Sequence, residues 1–403
     1  MTLTATAKYD VGGIKLDRPF KVRRLGHFGF NLDNIEAART FYVDLLGFRV
    51  SDPRPGGGFF GRFGSDHHAL VMGPKQRAVE QLLALPTGPR HFRAENTINQ
   101  ITWQVQSRRE VAQATQYFRD KGIDVSREGR AGGRAAGLNY HLYVYDPDDQ
   151  VVELFYGIEQ IGWDGFAKPM DMHPPAMREV SPEANISEWQ EVTEALDRGG
   201  EPTTGYRHSE SLPAVYDVDG ILMPRPFKIT RIGPVNLFVD DLAAATRFYQ
   251  DVMGFELSEE VTWRGEHCVF LRCSGEHHSI GLFPKACREQ LGLSPHTSSM
   301  SFGLQVANYR QLREAVSFLR SHGIRVETEV VPPELHPGID YAAYAFDPDG
   351  HCLELYYYME QVGWDGRPRP ASARRVVDPS NWPDDLEPLA DTFQGEPFLG
   401  PWA

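Results

Sequence analysis

Residues 139–165 read NYHLYVYDPDDQVVELFYGIEQIGWDG, and the rest of the chain can be placed from how this stretch folds. Bulky and small side chains alternate before a turn at Asp146-Pro147-Asp148-Asp149, and the return segment carries a lone acid, Glu153, among apolar neighbours. That is the pattern of two half-buried strands joined by a tight turn. Such a pair aims one carboxylate into a cavity. The construction returns as DYAAYAFDPDGHCLELYYYMEQVGWDG from Asp340 to Gly366, with Glu354 in the place of Glu153.

Working outward, YDVGGIKLDRPFKVRRLG from Tyr9 recurs as YDVDGILMPRPFKITRIG from Tyr216, 207 positions on. The spacing is again 207 between Phe41-Tyr42 and Phe248-Tyr249, then 210 between His67-His68 and His277-His278, and 201 between Glu153 and Glu354. A self-similarity that drifts only in loops marks a tandem duplication. Each copy reads as strand, helix and three strands, twice over. In the first, LGHFGFNL (Leu25 to Leu32) meets a helix opened by Asp33-Asn34 and closed at Gly47, with Ile35, Ala38, Phe41, Tyr42 and Leu45 on one apolar face. Short strands are expected around Phe59 to Phe63 and His68 to Met72, while Lys75 to Asn96 carries no assignable pattern. ITWQV from Ile101 and the helix RREVAQATQYFRDKG open the second series. The expected division is a lead-in at 1–21, the first copy at 22–166, a Pro- and charge-rich arm at 167–228, the second copy at 229–370 and a tail at 371–403. Within the arm only Ile186 to Leu196 reads as helix. The fold class is α+β.

Composition narrows the partners. A net charge of -14 over 403 residues argues against nucleic acid and anionic membranes. No run of about 18 apolar residues is present, and MTLTATAKYDVGG lacks the basic and apolar regions of a signal peptide, so a cytoplasmic protein is expected. The four cysteines, Cys268, Cys273, Cys287 and Cys352, have no CxxC spacing and read as buried thiols.

The paired strand-helix-strand-strand-strand modules, with LGH on the first strand, FYVDLLGF from Phe41, the His67-His68 pair and a closing YxxDPDGxxxELYY pattern, resemble the vicinal oxygen chelate superfamily. A four-module chain with this last motif is most similar to the type I extradiol ring-cleaving dioxygenases. The resemblance implies that each module pair forms an open, cup-shaped mixed sheet around a metal. It places the ligands on the first strand of each module and on the closing Glu. Those positions carry His27, Gln100 and Glu153 in the first copy, and Pro234, Ser301 and Glu354 in the second. The dioxygenases use two His and a carboxylate on iron(II). Gln100 keeps the total charge of that set but is a harder, weaker donor than imidazole, so iron(II) is expected with manganese(II) or another divalent metal open. Glyoxalase-type members use Gln or Glu at such positions. A buried cluster of His27, Gln100 and Glu153 bonded to one another is the other reading of the same residues. Proline offers no donor atom and serine a poor one, which makes the second copy metal-free.

By the same resemblance His68 matches the histidine that moves protons, and Tyr143 the tyrosine that hydrogen-bonds the substrate hydroxyl. The family histidine eight residues before that tyrosine is His336 in the second copy but Ala135 in the first. His141 lies two residues before Tyr143 and so shares its face of the strand, as ligand, proton donor or hydrogen-bonded core histidine. His278, His336, Tyr344 and Glu354 persist in the second copy as vestiges or as the lining of a metal-free pocket. Trp163 and Trp364 read as packing at the strand exits. The expected function is a metal-dependent extradiol dioxygenase that takes a small phenolic or catecholic compound and dioxygen, in a homo-oligomer. A redox-inert lyase, isomerase or hydrolase and a non-catalytic binding protein are the alternatives.

Overall fold

The computed structural model describes residues 9–83, 93–130, 137–162, 164–173, 175–176, 179–180, 187–362 and 365–386. Ala135, Trp163 and Trp364 lie outside them. A hairpin of β1 (Tyr9–Val11) and β2 (Ile14–Leu16) precedes an eight-stranded sheet. That sheet contains β3 (Arg24–Leu32), β4 (Arg49–Pro53), β5 (Phe59–Arg62), β6 (Leu70–Pro74), β7 (Ile98–Gln104), β8 (Val125–Arg130), β9 (Leu138–Tyr145) and β10 (Val151–Ile158). Their order is β4-β5-β6-β3-β7-β10-β9-β8.

The second copy repeats this in full. After the hairpin β11 (Tyr216–Val218) and β12 (Ile221–Met223) come β13 (Ile229–Val239), β14 (Glu256–Trp263), β15 (Glu266–Arg272), β16 (Ile280–Pro284), β17 (Ser299–Val306), β18 (Val326–Glu327), β19 (Ala342–Phe346) and β20 (Cys352–Tyr356). They run in the order β14-β15-β16-β13-β17-β20-β19-β18. β3 with β6 and β7 with β10 are parallel and the other pairs antiparallel, so the sheet is mixed. Central strands in such a sheet are covered on both faces. β3 accordingly buries all but its first residue.

The first helix begins as its sequence dictates. Asn34 accepts a hydrogen bond from the Ala37 amide at 3.1 Å, and the chain winds through Ile35–Arg39 and a wider π turn at Thr40–Leu45. It stops at Gly47, whose φ of 85° suits glycine. Ala38, Phe41, Tyr42 and Leu45 are buried as expected. The stretch without a sequence pattern starts with a helix, Lys75–Leu83, and the arm helix is Glu188–Asp197, capped by Ser187. β4 is the one of the three expected strands after the first helix that the sequence did not locate, and His68 stands just ahead of β6. All four cysteines are buried free thiols. No helix among the described residues is long and apolar enough to cross a membrane.

The two copies grip each other reciprocally. Tyr42 donates to Asp347 at 3.0 Å, and Tyr249 donates to Asp146 at 2.9 Å, so each copy's first helix holds the other copy's Asp-Pro-Asp turn. Arg18 donates to the Gly254 carbonyl at 3.2 Å and Arg225 to the Asp44 carbonyl at 2.8 Å. The rings of Phe28 and Phe302 stack at 4.1 Å, joining the two sheets in one apolar core.

Candidate metal centre

Strand register sets out the site. Across the first sheet, Arg127 on β8 opposes Tyr143 on β9, Tyr143 opposes Glu153 on β10, Glu153 pairs with Thr102 on β7, and Thr102 opposes His27 on β3. Neighbouring strands are about 4.8 Å apart, so five side chains share one row. Gln100 is two residues before Thr102 and therefore on the same face.

Three of these side chains converge. His27 Nε2 lies 3.2 Å from Glu153 Oε2, the Gln100 amide nitrogen 2.7 Å from His27 Nε2, and that nitrogen donates to Glu153 Oε2 at 2.9 Å. Thr102 Oγ1 also donates to Glu153 Oε2, at 2.9 Å. His27 and Glu153 are fully buried. The three predicted ligands thus hydrogen-bond one another, yet their spacing is also that of a coordination shell. Donors at right angles on a cation with bonds of about 2.1 Å are about 3 Å apart. The amide would present its carbonyl oxygen to a cation after a half-turn of the same group. Counting His, Cys, Asp and Glu alone, no cluster of three gathers among the described residues, because the third donor here is an amide.

A second observation favours a missing partner. Nearly all buried polar atoms in folded proteins are hydrogen-bonded. Here His27 Nδ1, His68 Nε2 and His141 Nδ1 are buried without a partner among the described residues. The His27 and His68 rings meet edge to face at 4.4 Å, and His141 meets Tyr143 at 5.3 Å. All six residues singled out from sequence are therefore neighbours.

Protonation follows from the network. His67 Nε2 lies 2.8 Å from Asp52 Oδ2, and its Nδ1 lies 2.9 Å from His68 Nδ1. With a neutral His67 donating to Asp52, its Nδ1 accepts the His68 Nδ1 proton, which leaves a lone pair on His68 Nε2. Burial above all, then the neighbouring Arg54 guanidinium, holds His68 well below the ordinary histidine range. Burial also lowers His141. Burial alone would raise the Glu153 carboxyl, but hydrogen bonding and charge from His27, with His141 and Tyr143, outweigh it and leave Glu153 below its ordinary value. Tyr143 is raised by burial and then by the Glu153 charge, so it stays protonated.

The second cup is built differently. Asn236, which opposes Ser301 on β17, donates to Ser301 Oγ at 2.8 Å and to Glu354 Oε2 at 3.2 Å. Tyr344 donates to Glu354 Oε1 at 3.0 Å. Glu354 is thus engaged by neutral groups only, and burial pushes it up to about 7 against those bonds. Around it Phe270, Phe283, Met300, Val331 and Leu335 form an apolar cluster of their own. His336 Nδ1 is held 3.0 Å from the Ile339 carbonyl.

Thr102, Asn236, Arg54 and Arg127 are site residues that sequence reasoning missed. The period-two relation to Gln100 could have found Thr102. Nothing local could have found Arg127, because its place depends on the register of β8 against β9.

Known proteins with related sequences or folds share this arrangement of modules. The family described as the Glyoxalase/Bleomycin resistance protein/Dioxygenase superfamily matches residues 24–154 and 231–355. The 2,2',3-trihydroxybiphenyl dioxygenase of Sphingomonas paucimobilis is 26% identical over 132 residues, which is 33% of this chain and 42% of that protein. The chain therefore spans less than half the length of that relative. The catechol-2,3-dioxygenase of Bacillus subtilis (strain 168) is 23% identical over 263 residues, covering 64% of this chain and 73% of the other. Among solved structures, the Mn(II)-bound glyoxalase from Novosphingobium aromaticivorans is similar in fold, with a TM-score of 0.54, 16% identity, and 86% of this chain and 85% of that one covered.

Proposed function

The chain belongs to the glyoxalase/bleomycin resistance protein/dioxygenase superfamily, and from that premise we propose that its first cup is the centre of a metal-dependent dioxygenase of the extradiol type. The substrate is a small phenolic or catecholic compound, with dioxygen as co-substrate. The observation that carries this is the meeting of His27, Gln100 and Glu153 at coordination spacing beside an unpartnered His68 Nε2. A divalent metal held there would supply a Lewis acid with open positions for vicinal oxygens and, as iron(II), electrons for dioxygen.

The chain's own groups do the rest. His68 Nε2 takes the proton of a substrate hydroxyl, since its lone pair is free. Tyr143 keeps its proton and donates to the oxygen on which charge develops. His141, on the same face, is placed to bond a second oxygen. The ring of Phe60, 4.6 Å from that of His68, and the ring of Phe155, 5.5 Å from that of His27, give the bound arene apolar walls.

Oxygen uptake by iron(II)-loaded protein with a panel of catechols is the test. Ring-cleaved product is expected, and His68→Gln should lower turnover about 10²- to 10⁴-fold with metal content unchanged. The amide ligand and the Mn(II)-bound glyoxalase of similar fold favour one other reading, a redox-inert lyase, isomerase or hydrolase. Bound metal with no oxygen uptake would select it. Tight ligand binding without any metal would select a binding protein.

A further inference from the structure

Two guanidiniums stand at the first cup without a carboxylate at contact distance among the described residues, although the Glu153 charge acts on Arg127 from across the row. Arg127 is exposed and lies over the ring of Tyr143, its Cζ 4.1 Å from the centroid. Arg54 is half-buried, lies 5.1 Å from the centroid of Phe60, and donates to the Met72 carbonyl at 3.2 Å. Neither forms an ion pair among the described residues, in a chain that carries a net charge of -14. Tyr143 and Phe60 are also the residues that border the proposed substrate site. Burial lowers Arg54, and Arg77 and Arg127 lower it further, so these cations feel one another.

The second copy serves as an internal control. Asp52 and Glu259 hold matching histidines, His67 at 2.8 Å and His277 at 3.1 Å, which aligns β4 with β14. Two residues on, Arg54 corresponds to Val261, which packs against the second cup's apolar cluster. On the far side Arg127 opposes Tyr143 where Glu327 opposes Tyr344. At these two positions the cations therefore occur only in the cup that has the metal donors; the guanidinium beside the other cup, Arg374, is paired with Glu259. In the filled cup one is apolar and the other has its charge reversed.

We propose that the substrate of the first cup carries a carboxylate on a short arm, clasped by Arg127 and Arg54 at the end of the ring away from its vicinal oxygens. This rests on the reading of that cup as a catechol site. Arg127 and Glu153 are two strand spacings apart in the row, about 10 Å between backbones. An arene with a short arm spans that gap. A planar guanidinium suits a carboxylate because it can pair with both oxygens at once.

The pair hydrocaffeate and its methyl ester separates this proposal from the reading beneath it. Calorimetric titration of metal-free protein should show the acid binding about ten- to a hundred-fold more tightly than the ester. Arg127→Gln and Arg54→Gln should each shrink that preference, Arg127→Glu should abolish it, and Arg127→Lys should keep part of it. Oxygen uptake by iron(II)-loaded protein then tests the dioxygenase. Acid preference without oxygen uptake would uphold the clasp and overturn the dioxygenase. Oxygen uptake with acid and ester used equally would uphold the dioxygenase and overturn the clasp. An acid preference untouched in Arg54→Gln/Arg127→Gln would also overturn it, since Arg127 would then only stack on Tyr143.

Discussion

Glu153 and Glu354 occupy matching strand positions, and their neighbours set them to different charges. His27 and His141 lower Glu153, whereas Tyr344, Ser301 and Asn236 offer Glu354 only neutral bonds and burial wins. A folded-state pKa of about 7, against an ordinary 4.5, makes Glu354 a source of pH-dependent stability. Below pH 4.5 both states hold the proton and nothing is lost. Between there and about 7 the folded state holds a proton that the unfolded state has released, so stability falls as pH rises. Above that window the loss is constant, on the order of 3 kcal/mol. Glu354→Gln should therefore raise the urea midpoint at pH 8 relative to wild type by more than it does at pH 4.5. An equal effect at both would contradict the assignment. At this scale the sequence was informative where chemistry is unusual for its surroundings: an acid in an apolar strand, a proline where a ligand belongs. Asn236 was not legible, because it stands two residues beyond Pro234 and matters only through its cross-strand bond to Ser301.

The strands around the two cups diverge in the same sense. In the second copy Phe283 on β16 and Met300 on β17 stand where the first has Gly73 and Asn99 and help turn the cup into core, and both are almost wholly buried. In the first, polar side chains from β3, β7, β9 and β10 meet instead. Truncating the filling should cost stability and spare the metal: Phe283→Ala is expected to lose about 3 to 5 kcal/mol in urea unfolding, with metal content unchanged. A loss of metal with little change in stability would place the centre in the wrong copy. Element by element, β9 and β10 were plain because side chains alternate along β9, a tight turn joins the two, and β10 carries a lone acid among apolar residues. β8, VSREGR, buries only its last two residues and carries no apolar alternation, so it cannot announce itself. β4 is a short stretch, RVSDP, whose pairing with β5 fixes it from outside. The helix Lys75–Leu83 is short and polar at its start, and its sequence has no cap to mark it.

At the scale of the whole molecule the duplication explains how one cup can change while the other is kept. Each copy supplies the tyrosine that holds the other's Asp-Pro-Asp turn, and Phe28 stacks on Phe302 between the sheets, so the second copy supports the first. The repeat was legible from its spacing. The reciprocal grip was not, because Tyr42 and Asp347 are 305 positions apart and nothing local links them. On this reading a single metal belongs to the first cup. Elemental analysis of anaerobically purified wild type, Glu153→Ala and Glu354→Ala tests it most directly. About one iron or manganese per chain, lost in Glu153→Ala and retained in Glu354→Ala, is the predicted result. No metal in the wild type, or a metal lost only in Glu354→Ala, would contradict it.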